Sequence, residues 1–272
     1  MTAPLKIAIA GIAGRMGQSI AHESLVMSDS ISIASAFARK NSAVQGRDLG
    51  DVLKIGPIGI NVTGEPDQNI SDIDVLIDFT HPSTLPAHLE WCKATDTALV
   101  VGTTGLSDSD FESLKAAGDE IPVLYGANMS VGINLLANLV EQLSAILDPD
   151  FDIEIVESHH KHKKDAPSGT ALMLGEAAAK GRDTDFKDAA VLSREGETGE
   201  RCRGSIGFAT IRGGDIAGEH SVLYLGDGER LELTHKATDR KIFAKGALRA
   251  ARWLSTKSAG FYDMKDMLGI KS

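Results

Sequence analysis

Hydrophobic positions along the chain first recur as short apolar runs separated by helical spacing. Lys6 to Ala10 forms a short apolar run that reads as a buried strand, and a glycine-rich turn and a helix to about Met27 follow it. Ile31, Ile33 and Phe37 alternate with small residues as a second strand, and Val75 to Phe79 reads as a third. A helical stretch carrying Leu85, Leu89 and Trp91 precedes a strand at Ala98 to Val101. Ser107 with Asp110 has capping-box spacing ahead of another helix, and Val123 to Tyr125 reads as the next strand. Strands separated by helices of this length imply right-handed crossovers and a parallel sheet.

After Ser130 the pattern changes. Val131 to Leu147 predicts one long helix stopped by Asp148-Pro149-Asp150, and Asp152 to Glu157 alternates as a strand with one exposed face. A helix near Ala171 to Lys180 is followed by strand-like runs around Val191, Ile206 to Ile211, Ser221 to Leu225 and Arg230 to His235. Gly226-Asp227-Gly228 suits a hairpin turn between the last two. Short connections predict a mixed, mostly antiparallel sheet in a second α+β domain, after a Rossmann-type α/β first domain. Lys241 to Leu254 is apolar at helical spacing.

Composition narrows the class of partner. Of the 272 residues, 42% are hydrophobic and 24% charged, ordinary for a soluble globular protein. A formal charge of -10 argues against nucleic acid or an anionic membrane as a partner. No apolar run approaches the roughly 20 residues needed to cross a bilayer. The first residues, Met1 to Lys6, lack a signal-peptide layout. Cys92 and Cys202 form neither a disulfide framework nor a metal spacing, so a reducing cytoplasm is expected.

The turn Gly11-Ile12-Ala13-Gly14-Arg15-Met16-Gly17 lies between the first strand and the first helix. That context suits a dinucleotide. Glycines let backbone N–H groups approach a pyrophosphate, and the helix end adds a partial positive charge. A tight βα turn without ligand is the competing reading. At the end of the second strand, Ala38-Arg39-Lys40 offers two cations and no carboxylate. Arg39 and Lys40 therefore favour the 2′-phosphate of NADPH, with NADH as a second acceptable cofactor, unless they are solvated loop charges. Gly102-Thr103-Thr104-Gly105 and Gly126-Ala127-Asn128-Met129-Ser130 follow strands at the ends where ligands of open α/β sheets bind.

The densest chemistry lies in Glu157 to Thr170, where His159-His160-Lys161-His162-Lys163-Lys164 places six basic residues together in an acidic chain. An anionic ligand would relieve their repulsion. Ser168-Gly169-Thr170 then opens a helix whose first N–H groups could hold a carboxylate. Histidine exchanges protons near neutral pH, and lysine donates a proton or stabilises negative charge. The stretch reads as an active site for a dianionic substrate that must be protonated. A solvated basic loop, a metal site on His159, His160 and His162, and a phosphate or nucleic-acid patch compete with that reading. The ammonium groups oppose a metal, and none is expected.

Taken together, Gly11 to Gly17, Gly102 to Gly105, Ala127 to Ser130 and Glu157 to Thr170 resemble the dihydrodipicolinate reductase family. The likeness extends to Gly207-Phe208-Ala209-Thr210 with Arg212, Gly218-Glu219-His220 and Leu233 to Ala237, so it spans essentially the whole chain. The resemblance implies NAD(P)H-dependent reduction of 4-hydroxy-tetrahydrodipicolinate with loss of water, in diaminopimelate and lysine biosynthesis. It implies His159 as proton donor and acceptor and Lys163 as second donor. His160 would contact one substrate carboxylate, Gly169 and Thr170 beside Ser168 the other, and Arg240 would approach the substrate. The nucleotide would lie on Gly11 to Gly17, Arg39, Gly102 to Thr104 and Gly126 to Met129. Ala38 departs from the family pattern, where many members carry an acidic residue. Residues 1–130 and 241–272 would form the dinucleotide-binding domain, and 131–240 the substrate-binding and oligomerisation domain of a homotetramer. An aspartate-semialdehyde type dehydrogenase would need a nucleophilic cysteine, for which neither Cys92 nor Cys202 has the setting. A nucleotide sensor without chemistry would have little use for His159, Lys163 and Thr170 together.

Overall fold

A computed structural model describes residues 3–64, 66 and 72–270. The chain opens with β1 (Leu5–Ala10), α1 (Arg15–Val26), β2 (Ile31–Phe37), α2 (Leu49–Val52), β3 (Val62–Thr63) and β4 (Val75–Asp78). α3 (Leu85–Thr95), β5 (Ala98–Val101), α4 (Asp108–Gly118) and β6 (Pro122–Tyr125) follow. Next come α5 (Val131–Ile146), β7 (Asp152–His159), α6 (Gly169–Gly181), α7 (Phe186–Ala189) and β8 (Ala190–Val191). β9 (Ile206–Arg212), β10 (Gly218–Gly226) and β11 (Glu229–Ala237) precede α8 (Lys241–Leu254), β12 (Gly260–Asp263) and α9 (Met264–Leu268). Two compact units result, Met1–Ser130 with Lys241–Ser272, and Val131–Arg240. Met1 and Thr2, on which the signal-peptide expectation bears, lie outside the described residues.

The first unit holds a seven-stranded sheet in the order β12-β6-β5-β4-β1-β2-β3, with every ladder parallel. Its strands read as apolar runs because both faces are covered. Ile7, Leu76, Leu99 and Val123 are all fully buried. β3 to β6 run 3-2-1-4-5-6 across the sheet, the doubly wound order that reverses between β1 and β4. Ligands of such sheets bind at the carboxyl ends beside that reversal. The capping box at Ser107 and Asp110 forms at the start of α4 as its spacing predicts. The sequence did not disclose β12. Its four residues become a strand by pairing with β6, a long-range bond that local pattern does not carry. α8 packs against α1 and over β4, β5 and β6.

The second unit holds a five-stranded sheet in the order β11-β10-β7-β9-β8. It is mixed, as expected, and the long pairings of β10 with β11 and β7 make most of its paired residues antiparallel. The parallel part comes from the crossover through α6, which returns the chain to β9 alongside β7 in the same direction. Gly226 to Glu229 closes the β10–β11 hairpin. Ile153, Ile155, Leu174, Phe208 and Val222 pack under α5 and α6. The buried Tyr224 hydroxyl donates to the Val140 carbonyl and meets Ser144, tying β10 to α5. Among the described residues, no helix is long and apolar enough to cross a membrane.

Candidate active site

In the first unit, the turn after β1 is shaped by its glycines. Gly11 has φ +80°, and a Cβ there would press on the Phe79 carbonyl. A Cβ at Gly17 would collide with the Gly11 carbonyl, so only glycine lets α1 start this close to β1. Gly11 and Ile12 donate their N–H groups to the Phe37 carbonyl, which fixes the turn against β2. The N-cap of α1 is Gly14, with no side-chain cap bond and no carboxylate in the first turn. A helix start left without an anionic side chain suits a phosphate.

A cavity of about 390 Å³ opens at the ends of β4, β5 and β6. Met16, Gly102, Thr103, Thr104, Ala127, Asn128 and Met129 line it, together with Phe79, Thr80 and Phe243. The last three were not singled out from sequence. The other predicted nucleotide residues lie apart from this lining. Ala13, Gly14 and Arg15 are exposed on the turn, Ile12 is buried behind it, and Gly126 is buried at the end of β6. Arg39 and Lys40 stand exposed after β2. Gly102 permits its loop to pass the Phe79 ring, which any Cβ would strike.

Beneath that lining lies a fully buried carboxylate, Asp78, at the end of β4. One oxygen accepts from the Thr80 N–H at 2.9 Å, from the Thr80 hydroxyl at 2.5 Å and from the Thr103 hydroxyl at 3.1 Å. The other stands 2.6 Å from Nδ1 of the buried His88. The pair therefore holds two lining residues, Thr80 and Thr103, in place. A carboxylate closing an apolar strand was the only signal for it in the sequence.

In the second unit, β7 brings the basic stretch to the sheet's end. The register sets Glu157 between Thr210 on β9 and His220 on β10, and pairs His159 with Arg212. Glu157 is 1% exposed, on the same inward face as Ile153 and Ile155. Its carboxylate meets Nδ1 of His159 at 2.6 Å and the Arg212 guanidinium at 2.8 and 2.7 Å. Burial pushes the Glu157 carboxyl up, but hydrogen bonds from Arg212 and His159 outweigh it and hold the group below its ordinary value.

Lys163 donates to both oxygens of Asp165, at 2.9 and 2.8 Å, and that ammonium holds the Asp165 carboxyl below its usual range. His160 stands 2.9 Å from the Arg240 guanidinium, and the His162 N–H lies 3.2 Å from its other nitrogen. A neutral imidazole has one acceptor nitrogen, so it accepts only one of these donors, and an imidazolium neither. Partial desolvation, then the fields of Arg240, His162, His159 and Lys163, lower the His160 value. An anion against His160 and Arg240 would relieve that strain.

Ser168 caps α6 by accepting from the Ala171 N–H. Gly169 and Thr170 begin the helix, and a Cβ at Gly169 would meet no atom within 4 Å. The sequence-predicted substrate residues His159, His160, Lys163, Ser168, Gly169, Thr170 and Arg240 thus all belong to one unit. Sequence reasoning named Glu157, Arg212 and His220 only as parts of motifs. Their contacts join three strands and the loop to Ser168.

Comparison with known proteins follows the same division. A family model described as dihydrodipicolinate reductase, N-terminus, matches residues 5–129, and one described as dihydrodipicolinate reductase, C-terminus, matches residues 132–268. The chain is 46% identical over 265 residues to a 4-hydroxy-tetrahydrodipicolinate reductase of Pseudomonas fluorescens (strain SBW25), covering 97% of this chain and 99% of the relative. Among solved structures it resembles dipicolinate-bound dihydrodipicolinate reductase from Paenisporosarcina sp. TG-14, with TM-score 0.75 at 24% identity, covering 96% and 98% of the two chains. An oxidoreductase from Agrobacterium radiobacter, in complex with NAD+, L-tartaric acid and magnesium, shares the fold at TM-score 0.57 and 12% identity, covering 98% and 93%.

Proposed function

The chain belongs to the dihydrodipicolinate reductase family, and from that premise we propose that it reduces 4-hydroxy-tetrahydrodipicolinate, with loss of water, in lysine and diaminopimelate biosynthesis. The observation that carries the reading is the gathering of His159, His160, Lys163 and Arg240 with the start of α6 in one unit, while the nucleotide-type turn belongs to the other.

The first unit fits a nicotinamide nucleotide on its own geometry. A Cβ would fill the passage at Gly11 and Gly17, α1 begins without an acidic cap, and Gly102, Thr103, Thr104 and Ala127 stand among the apolar side chains lining the cavity after β4, β5 and β6. Gly11 to Gly17 would hold the pyrophosphate, and Gly102 to Thr104 with Gly126 to Met129 the nicotinamide end. The nucleotide supplies hydride from its nicotinamide C4. Ala38-Arg39-Lys40 supports NADPH as the preferred form, since two exposed cations suit a 2′-phosphate and no carboxylate is present to bind a ribose diol.

The second unit's residues bind, orient and protonate. One substrate carboxylate lies at the start of α6, on Gly169 and Thr170, where the helix dipole favours an anion. The other lies against His160 and Arg240, whose positive fields it neutralises. His159 and Lys163 protonate the electron-rich ring left by hydride addition, and their charge stabilises the transition state as negative charge builds. Asp165 holds the Lys163 ammonium in reserve. A soluble, cytoplasmic homotetramer is the state the family resemblance supports.

Loss of NADPH absorbance with enzymatically generated substrate tests the activity. Comparing kcat/KM for NADPH and NADH tests the cofactor. A strong NADH preference would remove the role given to Arg39 and Lys40.

A further inference from the structure

On the reading that His159 hands over the proton, we propose that Glu157 is a positioning residue that locks His159 in one tautomer and ties it to the anion-binding end of α6.

Alternation along β7 puts Ile153, Ile155 and Glu157 on one inward face. A carboxylate at an apolar position is tolerated only when its oxygens are satisfied. Here they are fully employed. Oε2 meets His159 Nδ1 and Arg212 Nη1. Oε1 accepts from Arg212 Nη2, from the Ser168 N–H at 3.0 Å and from the Thr210 hydroxyl at 3.2 Å.

An ionised carboxylate only accepts, so the proton between it and His159 belongs to Nδ1. Nε2 is left as the nitrogen that gains and loses a proton. Gly218 keeps that edge clear, since a Cβ there would stand 3.0 Å from Nε2. A partner that fixes the tautomer of a working imidazole is a known device of proton-transfer sites.

The same ion pair sets two other parts. The Ser168 N–H bond places the first turn of α6, and Arg212 Nη2 also donates to the Asp165 carbonyl at 2.7 Å. Asp165 in turn holds Lys163. One buried pair therefore sets the spacing between the imidazole, the ammonium and the helix end.

Several charged and titratable groups face His159. Arg212 faces it from β9, His220 from β10 with ring centres 5.1 Å apart, and His160 and Lys163 from the following loop. Glu157, in direct hydrogen bond with the ring, is the anion among them. Its charge offsets the cations that crowd the ring.

The test is a pH profile of Glu157→Gln beside Glu157→Asp and the parent enzyme. Glu157→Gln should lower kcat about 10²-fold with a substrate KM within about threefold, and should move the acid-donor limb of the profile to lower pH. Glu157→Asp keeps the charge, so its limb should stay near the parent position while kcat falls. An unmoved limb with near-parent kcat in Glu157→Gln would overturn the proposal. Nitrogen NMR of the parent enzyme decides the matter without a variant: a protonated Nδ1 in neutral His159 supports the inference, and a protonated Nε2 sinks it. His159→Gln keeps the two ideas apart, because full turnover there removes the proton role and leaves the tautomer result standing.

Discussion

The Ser168 hydroxyl, which accepts from the Ala171 N–H, stands 3.1 Å from Nε2 of His220. The His220 ring is 4% exposed. Burial, then the field of His159, lower its pKa to about 4. The neutral ring keeps the capping serine aimed at α6.

That arrangement predicts a pH dependence of stability. An unfolded histidine ionises near 6.5, so between that value and about 4 the unfolded chain binds more protons. The stabilisation is complete above the unfolded pKa and is lost as pH falls toward the folded one. It amounts to roughly 3 kcal/mol. Urea midpoints measured from neutral pH downward should decline through this window, and His220→Gln should flatten its share. A variant whose decline matches the parent's would remove His220 from the account.

Replacing either proposed proton donor should strike turnover more than binding. His159→Gln or Lys163→Ala should lower kcat at least about 10²-fold with modest change in KM. Steady-state kinetics at saturating nucleotide check this, and near-parent turnover in either variant would refute the assignment.

The buried Asp78–His88 pair predicts a complementary split. Asp78→Asn keeps the size of the side chain but weakens its hold on Thr80, Thr103 and His88. Losing about 1–1.5 kcal/mol of fixed geometry corresponds to a nucleotide KM raised about tenfold. Substrate KM should hardly move. If both Michaelis constants rise together, the pair serves general stability instead.

Gly169 offers the cleanest probe of the carboxylate site. Beyond its chain neighbours and its own helix backbone, no described heavy atom stands within 4 Å of a Cβ placed at Gly169, so Gly169→Ala adds a methyl without a clash and with a gain in helix propensity. Thermal stability should hold or rise slightly, while substrate KM rises about tenfold as the methyl meets the ligand. Unchanged substrate KM would move the carboxylate elsewhere.

The parallel sheet and the glycine turn were readable because local signals carried them. Apolar runs such as Val75 to Ile77 mark strands covered on both faces, and Gly11 and Gly17 mark backbone crowding. The Ser107–Asp110 cap was likewise written in neighbouring residues. What escaped depends on distant pairing. Arg212 reaches Glu157 across 55 residues of chain, and only strand register makes the meeting. Glu157 did leave one trace, an acidic residue at an inward position of β7. β12 left almost none, since four residues acquire their state from β6. The mostly antiparallel character of the second sheet was legible from its hairpin, whereas the parallel return through α6 is a tertiary choice.

The first unit takes its last strand and its covering helix from beyond Lys241. During synthesis, then, its seventh strand and the layer over β4 to β6 arrive only after the whole of Val131–Arg240 has left the ribosome. Val131–Arg240 is one unbroken stretch and can mature first, although it is encoded second. A nascent chain halted before residue 241 would carry the proposed proton-transfer residues on a finished sheet, while β4 to β6 of the first unit lacked their covering helix, and quality-control proteases would meet that uncovered stretch first.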